Sequence, residues 1–435
     1  MRDERRQDCF FFFIPHPSSF HKRTTAVTSR WVIGLACGAS GDGLDAALVE
    51  LDGCGLGLRA RVVQAHHHPL AEDARGLLRR TAQAACDPRE LSMVHRLLGE
   101  NFAAAARQAA DRASFSLQKT QCLGCTGHTL WGEPDGRFAS LLPLGMAAIV
   151  AERTGVTTIS DFRARDLAAG GLGVPLAGLA DYLLFRDYQS DQSRLIIHLG
   201  AVAQVVHLPP RCRIQEIAAF EAGPCSLLLD ALMRQLTSGQ ETFDAGGKHA
   251  VQGRCLEPVL ERWLGHPFLQ RRPPRALPRP LFGDAFVAQA VHQAREQNWN
   301  PFDLLCTATH FVARTIAESV RRFLPAALTT PPRMLLSGGG TRNGLLRHLL
   351  EQQFAGAHLE QTDVAGVPWQ ARKAVAAALL AALCLDGVPA NLPQVTGAAG
   401  SRLLGSLTPG SSSNWARCLT WMTQQATVST ALQAA

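Results

Sequence analysis

From residue 31 onward the apolar residues fall into short runs broken by glycine or charge, and the spacing inside each run separates strand from helix. An apolar run at 31–36 and apolar-rich segments at 44–51 and around 58–65 predict three strands in meander, the third ending at His66, His67 and His68. Apolar positions at helical spacing, with Arg and Glu between them, predict helices over 72–85 and 89–116. A short strand near 120–123, a polar turn over 124–136, a helix over 145–154 and a strand over 157–160 follow. The stretch SRLIIHLGAVAQVVHLPP (193–210) repeats the opening plan of strand, glycine turn and strand, and predicts a second domain built like the first. Residues 216–236 read as strand, glycine-proline turn and helix, and 268–283, dense in proline and arginine, as a loop. A helix over 301–324, the strand RMLLSGGG (333–340), a helix from Asn343 and a last helix over 369–385 complete the pattern. Strands alternating with helices imply an α/β protein with helices covering its sheets.

A chain of 435 residues is long for one core, and the repeat divides it into lobes of 31–190 and 191–410. Residues 1–30 read as a disordered leader that carries both Arg and acid, and 411–435 as a polar tail anchored by Trp415 and Trp421. Where the leader directs the chain is left open, with the cytoplasm as the expected compartment.

Charge and cysteine narrow the function classes. The net charge of +7 comes from arginines scattered without a basic helix or stripe, which argues against nucleic acid as a partner. No run approaches the roughly 20 apolar residues that span a bilayer, so a soluble chain is expected. Twelve cysteines, mostly inside apolar runs, read as reduced thiols. Cys122 and Cys125 form a CxxC with no second pair at zinc-finger spacing, and three successive histidines cannot all face one way. No side chain is therefore assigned as a metal ligand.

Chemistry concentrates in three glycine turns, each after a buried strand: GASGDG (Gly38, Ala39, Ser40, Gly41, Asp42, Gly43), the turn from Gly200, and SGGGTRN with Gly338, Gly339, Gly340 and Asn343. Glycine there lets backbone N–H groups approach an anion, so a nucleotide between two domains is expected. Asp42 inside such a turn predicts Mg2+ nearby, the alternative being an aspartate that only fixes the hairpin. The stretch ISDFRARDLAAGGLGVPLAGLAD (159–181) sets charged residues directly after a strand and before glycines, as ligand loops of α/β sheets do.

In order and wording these motifs resemble the anhydro-N-acetylmuramic acid kinases of the actin and sugar-kinase superfamily. The resemblance runs from about Val32 to Pro409 through IGLACGASGDGLDAALV, GCTGHTLWGEP, DFRARDLAAGGLGVPL, FEAGPCSLLLDA, FDAGGKHAVQG, SGGGTRN, VPANLPQVTGA and LLGSLTPG. It implies two RNase H-like lobes of actin and hexokinase type with ATP in the cleft. It also implies hydrolytic opening of a 1,6-anhydro amino sugar coupled to phosphorylation of its O6. On this reading Glu221 is the base, Asp42 stands near Mg2+, and Thr129, Arg163 and Asp166 surround the sugar.

The chain departs from the family pattern at polar positions. Glu221 stands for an aspartate, Ala201 for a glycine, His198 and Gln204 for asparagines, and Lys373 for a glutamate near the sugar. Three readings stay open on these grounds: the kinase with reduced activity, a kinase for another small sugar, and a nucleotide- or sugar-binding scaffold without turnover. Whether the chain forms a homodimer is left open.

Overall fold

The computed structural model describes residues 29–38, 41–81, 86–133 and 139–434. The expected leader and the turn residues Ala39 and Ser40 lie outside the described residues. The opening meander is β1 (Arg30–Cys37), β2 (Gly43–Asp52) and β3 (Arg59–Pro69). Next come β4 (Thr120–Cys125), a hairpin of β5 (His128–Glu133) and β6 (Ser140–Leu144), and β7 (Thr158–Ser160). The second half holds β8 (Arg194–Leu199), β9 (Val202–Leu208), β10 (Ala218–Pro224), β11 (Arg333–Ser337) and β12 (His358–Gln361), and β13 (Ser406–Thr408) comes last.

The first sheet has the order β13-β7-β4-β1-β2-β3 and the second β10-β9-β8-β11-β12. In each, three antiparallel meander strands are extended by parallel strands on the far side of the first: β4 and then β7 beyond β1, β11 and then β12 beyond β8. This shared order is that of an RNase H-like sheet, present twice, and it makes the protein an α/β molecule of the actin and hexokinase type. Hydrophobic cores form on both sides of the two sheets. One core covers the outer face of the first sheet, another that of the second, and a third joins the facing sides of both around the Gly178–Phe185 and Arg372–Leu385 helices.

The Arg372–Leu385 helix sets the geometry between the sheets. After Arg372 and Lys373 it is alanine and leucine save for Val375 and Cys384, and it lies directly on β1 and β4 because both strands present glycine to it. A Cβ on Gly34 would stand 1.7 Å from the Ala374 carbonyl oxygen, and one on Gly124 2.1 Å from that of Ala377. A buried ion pair of Arg372 with Asp181 ties this helix to its neighbour, with Nε donating to Oδ1 at 2.8 Å and Nη2 donating to Oδ2.

Several expectations need correction. The polar turn over 124–136 contains β5, which pairs with β6, because Thr129 and Trp131 alternate with more deeply buried neighbours as in a strand. The glycine-proline turn after Glu221 belongs to β10, where Gly223 and Pro224 stay paired to β9 across a bulge at Ala222. The tail is a helix, Ser412–Ala434; its threonine hydroxyls bond carbonyls four residues back, and docking through Asn414 onto Thr157, Thr120 and Gln121 offsets the weak helix propensity of its polar residues. Trp421 does anchor it, donating Nε1–H to Asp386 at 2.8 Å. The lobe boundary at 190 fails for the last segments, since the Arg372–Leu385 helix packs on β1 and β13 completes the first sheet.

Two candidate ligand clusters become structural. Cys122 and Cys125 belong to cores on opposite faces of the first sheet. The histidine run forms the end of β3, where His67 Nδ1 pairs with Asp45 Oδ1 at 2.9 Å. Among the described residues no helix is long and apolar enough to cross a membrane.

Candidate functional site

All three glycine turns stand at strand ends around the space between the sheets. At the first, Gly41 has φ +65°, and a Cβ there would meet Leu78 at 2.5 Å. His128 Nδ1 lies 3.1 Å from the Gly38 carbonyl oxygen and 3.3 Å from Cys37 Sγ, so β5 holds this turn from the side. The Asp42 carbonyl accepts the Leu70 N–H at 3.1 Å, which leaves the turn closed against β3.

At the second turn, a Cβ on Gly200 would stand 2.7 Å from His198 Nε2 and 3.5 Å from Lys373 Nζ. His198 Nδ1 bonds Ser337 Oγ at 3.0 Å, and burial together with Lys373 and Arg372 pushes its pKa well below the usual histidine value. The imidazole is therefore neutral at physiological pH. The third turn stacks on the second: Gly338 has φ +87°, and a Cβ there would stand 2.6 Å from the Leu199 carbonyl oxygen. Gly339 faces open space, and a Cβ on Gly340 would press on Leu199. Asn343 caps the Gly344–Gln353 helix, its Oδ1 accepting the Leu346 N–H at 3.0 Å, so its side chain is committed to the turn's own shape.

Glu221 is 6% exposed on β10, at the bulge that turns it toward the cleft. Its Oε2 accepts the Leu277 N–H at 2.7 Å and its Oε1 the Gln204 amide at 3.1 Å. Burial raises its pKa above the usual carboxylate value, against the opposing pull of those two donors and of the Arg163 and Lys373 charges. A buried carboxylate poised upward with cations beside it is what a general base requires.

Arg163 joins Glu221 to a polar cavity. Its Nη1 donates to Thr129 Oγ1 at 2.7 Å, and its charge is felt by Glu221 and by Asp161, whose own carboxyl burial pushes up. The cavity, about 390 Å3, is lined by Thr126, Gly127, Pro143, Ser160, Asp161 and Arg163 among others. That volume falls within the roughly 300–1,000 Å3 of small-molecule sites. Asp166 plays another part than direct sugar contact. It is wholly buried, with Oδ1 accepting from Asn391 at 2.8 Å and Thr396 at 2.7 Å, and Oδ2 from the Gly173 N–H at 2.8 Å. It therefore ties the DFRARD loop to the NLPQVTG segment.

Three contributors carried no sequence signal of their own. Arg275, in the proline-rich loop, donates Nε–H to the Glu221 carbonyl at 2.9 Å and Nη2–H to that of Ala222 at 3.0 Å. Asp230, on the Ser226–Leu236 helix, is raised to about 7 by burial, with Asp42 adding to the rise from across the cleft. His128 sits inside the motif read for Thr129, yet its contact with the first turn depends on the unforeseen hairpin. Lys373 was visible as an odd charge, but its place beside Gly200 was not.

Paired RNase H-like sheets, with glycine turns converging on the space between them and a buried carboxylate at its wall, define a two-lobed phosphotransferase of the sugar-kinase class. A family model described as anhydro-N-acetylmuramic acid kinase matches residues 30–410, and the chain belongs to that family. It is 35% identical over 384 residues to the anhydro-N-acetylmuramic acid kinase of Acaryochloris marina, covering 86% of this chain and 99% of that protein. The proteins of the same name from Gloeobacter violaceus and Trichormus variabilis are 39% and 34% identical over 381 and 401 residues. Those alignments cover 87% and 90% of this chain, and 98% and 100% of the relatives.

Proposed function

We propose that this chain uses ATP to phosphorylate O6 of a 1,6-anhydro-N-acetylmuramic acid sugar while water opens the anhydro ring. The observation that carries the reading is Glu221: a buried carboxylate of raised pKa, held at both oxygens, between the glycine turns and the Arg163 cavity.

The turn residues fit a nucleotide. The backbone of Gly38, Ala39, Ser40, Gly41 and Gly43 would hold its phosphates from the first sheet, with Gly200 and Gly338 to Gly340 opposite. Gly200 and Gly338 pack too tightly on His198 and the Leu199 carbonyl to carry a Cβ, and Gly339 faces open space. Asp230, whose pKa burial raises with Asp42 adding to the rise, and Asp42 suit a hydrated Mg2+ bound through one or two carboxylates and the phosphates. Bound MgATP supplies the phosphoryl group and neutralises its charge.

The protein's own residues do the rest. Thr129 and Arg163 orient the sugar from the cavity wall, and Asp166 fixes the loop that carries Arg163. Glu221 takes a proton from water as its oxygen bonds to the anomeric carbon, and the bond from that carbon to O6 breaks. The freed O6 is then the phosphoryl acceptor, so one water and one ATP are consumed per sugar. Asn343 supports the nucleotide side by shaping the third turn. Mixing the full chain with MgATP and 1,6-anhydro-N-acetylmuramic acid, and following ADP and a 6-phosphorylated open sugar together, tests the reading: the two products must rise in a ratio of one, and absence of the phosphosugar rejects it.

A further inference from the structure

We propose that Lys373 binds the terminal phosphoryl group of the nucleotide, reaching it from the first turn of the Arg372–Leu385 helix. The inference rests on the nucleotide part of the function proposed above.

Position comes first. Glycines at 34 and 124 press the helix onto β1 and β4, and side chains in a first helical turn lean toward the N-terminus. Lys373 therefore projects past the ends of the strands into the cleft, and its Nζ lies 3.5 Å from where Gly200 would carry a Cβ. The same ammonium exchanges charge interactions with Asp45 on β2, Glu221 on β10, Arg163 in the DFRARD loop and the adjacent Arg372, and Cys37 at the end of β1 feels it as well. One amine thus stands where the first turn, the second turn and the candidate base converge.

Its lack of a partner comes second. Among the described residues no hydrogen bond or ion pair holds Lys373 Nζ, and the nearby carboxylates are already engaged: Asp45 by His67 at 2.9 Å, Glu221 by Gln204 and the Leu277 N–H. His198, beside it, is neutral and offers no competing charge. A half-buried ammonium with three unused donors is costly unless an anion completes it. Burial, aided by Arg163 and Arg372, lowers its pKa to about 8, so it remains mostly protonated at neutral pH. The N-terminus of the same helix adds to the positive field, because Ala371 at its N-cap supplies no side-chain cap to the first-turn N–H groups. Glycine turns on both sides favour a phosphoryl oxygen over the sugar's carboxylate as the completing anion.

Calorimetric titration of the full chain with Mg2+ and either ADP or a non-hydrolysable ATP analogue tests this without turnover. Loss of a charge-assisted contact predicts that Lys373→Met weakens the analogue about 10-fold while ADP stays within about 2-fold, and that Lys373→Arg keeps most of the preference. A thermal melt of each variant checks folding, and Lys373→Gln replaces the Met variant should that one aggregate. Equal losses for both nucleotides, no loss for either, or a loss confined to the sugar overturn the assignment. Failure of the wild-type chain to bind either nucleotide overturns the proposed function itself, which the variants' outcome alone does not.

Discussion

Arg275 grips the main chain at the bulge of β10, at Glu221 and Ala222. Its Nε–H goes to the Glu221 carbonyl at 2.9 Å and its Nη2–H to the Ala222 carbonyl at 3.0 Å and to Ser319 Oγ at 2.7 Å, while Nη1 bonds the carbonyls of Leu269 and Arg271. The guanidinium is 2% exposed and stands 4.8 Å from the Phe323 ring centroid. Burial lowers its pKa to about 10, still far above physiological pH, so the charge and all the donors persist. Arg275→Met would strand several buried carbonyls at about 1–3 kcal/mol each, and a loss of about 3 kcal/mol or more in urea unfolding is expected. Turnover should fall in the fraction that stays folded, because the bulge aims Glu221.

The site is built for the longer carboxylate. Glu221→Asp withdraws the carboxyl from the Leu277 N–H and from Gln204, by about one methylene, and misplacement of that order costs up to about 10²-fold. The aspartate variant should therefore lose kcat although aspartate is the residue the family resemblance leads one to expect. A gain in kcat would mean that Gln204 and Leu277 do not set the working position.

A rate profile against pH should be bell-shaped. Glu221 must be ionised to accept a proton, and Asp230, raised to about 7 by burial, must be ionised to hold Mg2+, so activity falls as pH drops through values above the ordinary carboxylate range. Lys373 must be protonated to hold an anion, so activity falls again as pH rises through about 8. The groups that face Glu221 and Lys373 are Arg163, Arg372, Asp45, Gln204 and the neutral His198. Lys373→Arg should move only the alkaline limb upward, which kcat/KM measured across both limbs reads directly.

The Asp181–Arg372 pair is buried on both sides, at 0% and 1% exposure. Asp181→Asn leaves an uncompensated guanidinium in the core and should cost about 3–5 kcal/mol in chemical unfolding. Because Arg372 precedes Lys373, the same variant should raise KM for ATP more than it lowers kcat.

Much of this architecture is legible in the residues. Strands β1, β2, β8 and β11 announce themselves as apolar-rich runs ended by glycine, and β9 as one ended by proline, and their repeat gives the two-sheet plan. The hairpin of β5 and β6 is not legible, because Gly127, Gly132 and Pro143 make the segment read as a turn, although its burial alternates as in a strand once it pairs. The C-terminal helix is hidden by threonine and serine, whose weak helix propensity is offset by docking: Asn414 alone bonds the Thr157 N–H and the carbonyls of Thr120 and Gln121. Of the site, Glu221, Arg163 and the turns can be found from sequence because each sits in a distinctive motif. Arg275 and Asp230 cannot, since a single arginine in a proline-rich loop or a single acid on an amphipathic helix looks like surface until the fold buries it. Asp166 was legible as special, but only the structure separates its role as a tie between loops from direct contact with a ligand.

The central claim, that Glu221 activates the water that opens the sugar while O6 takes the phosphoryl group, is tested most directly with isotope. The full chain is incubated with MgATP and 1,6-anhydro-N-acetylmuramic acid in H2(18)O, and the phosphosugar is weighed by mass spectrometry beside ADP release. The account predicts one heavy oxygen at the anomeric carbon for each ADP formed, and loss of both signals in Glu221→Gln with nucleotide binding intact. ADP released without labelled phosphosugar, or labelling undiminished in Glu221→Gln, would contradict it.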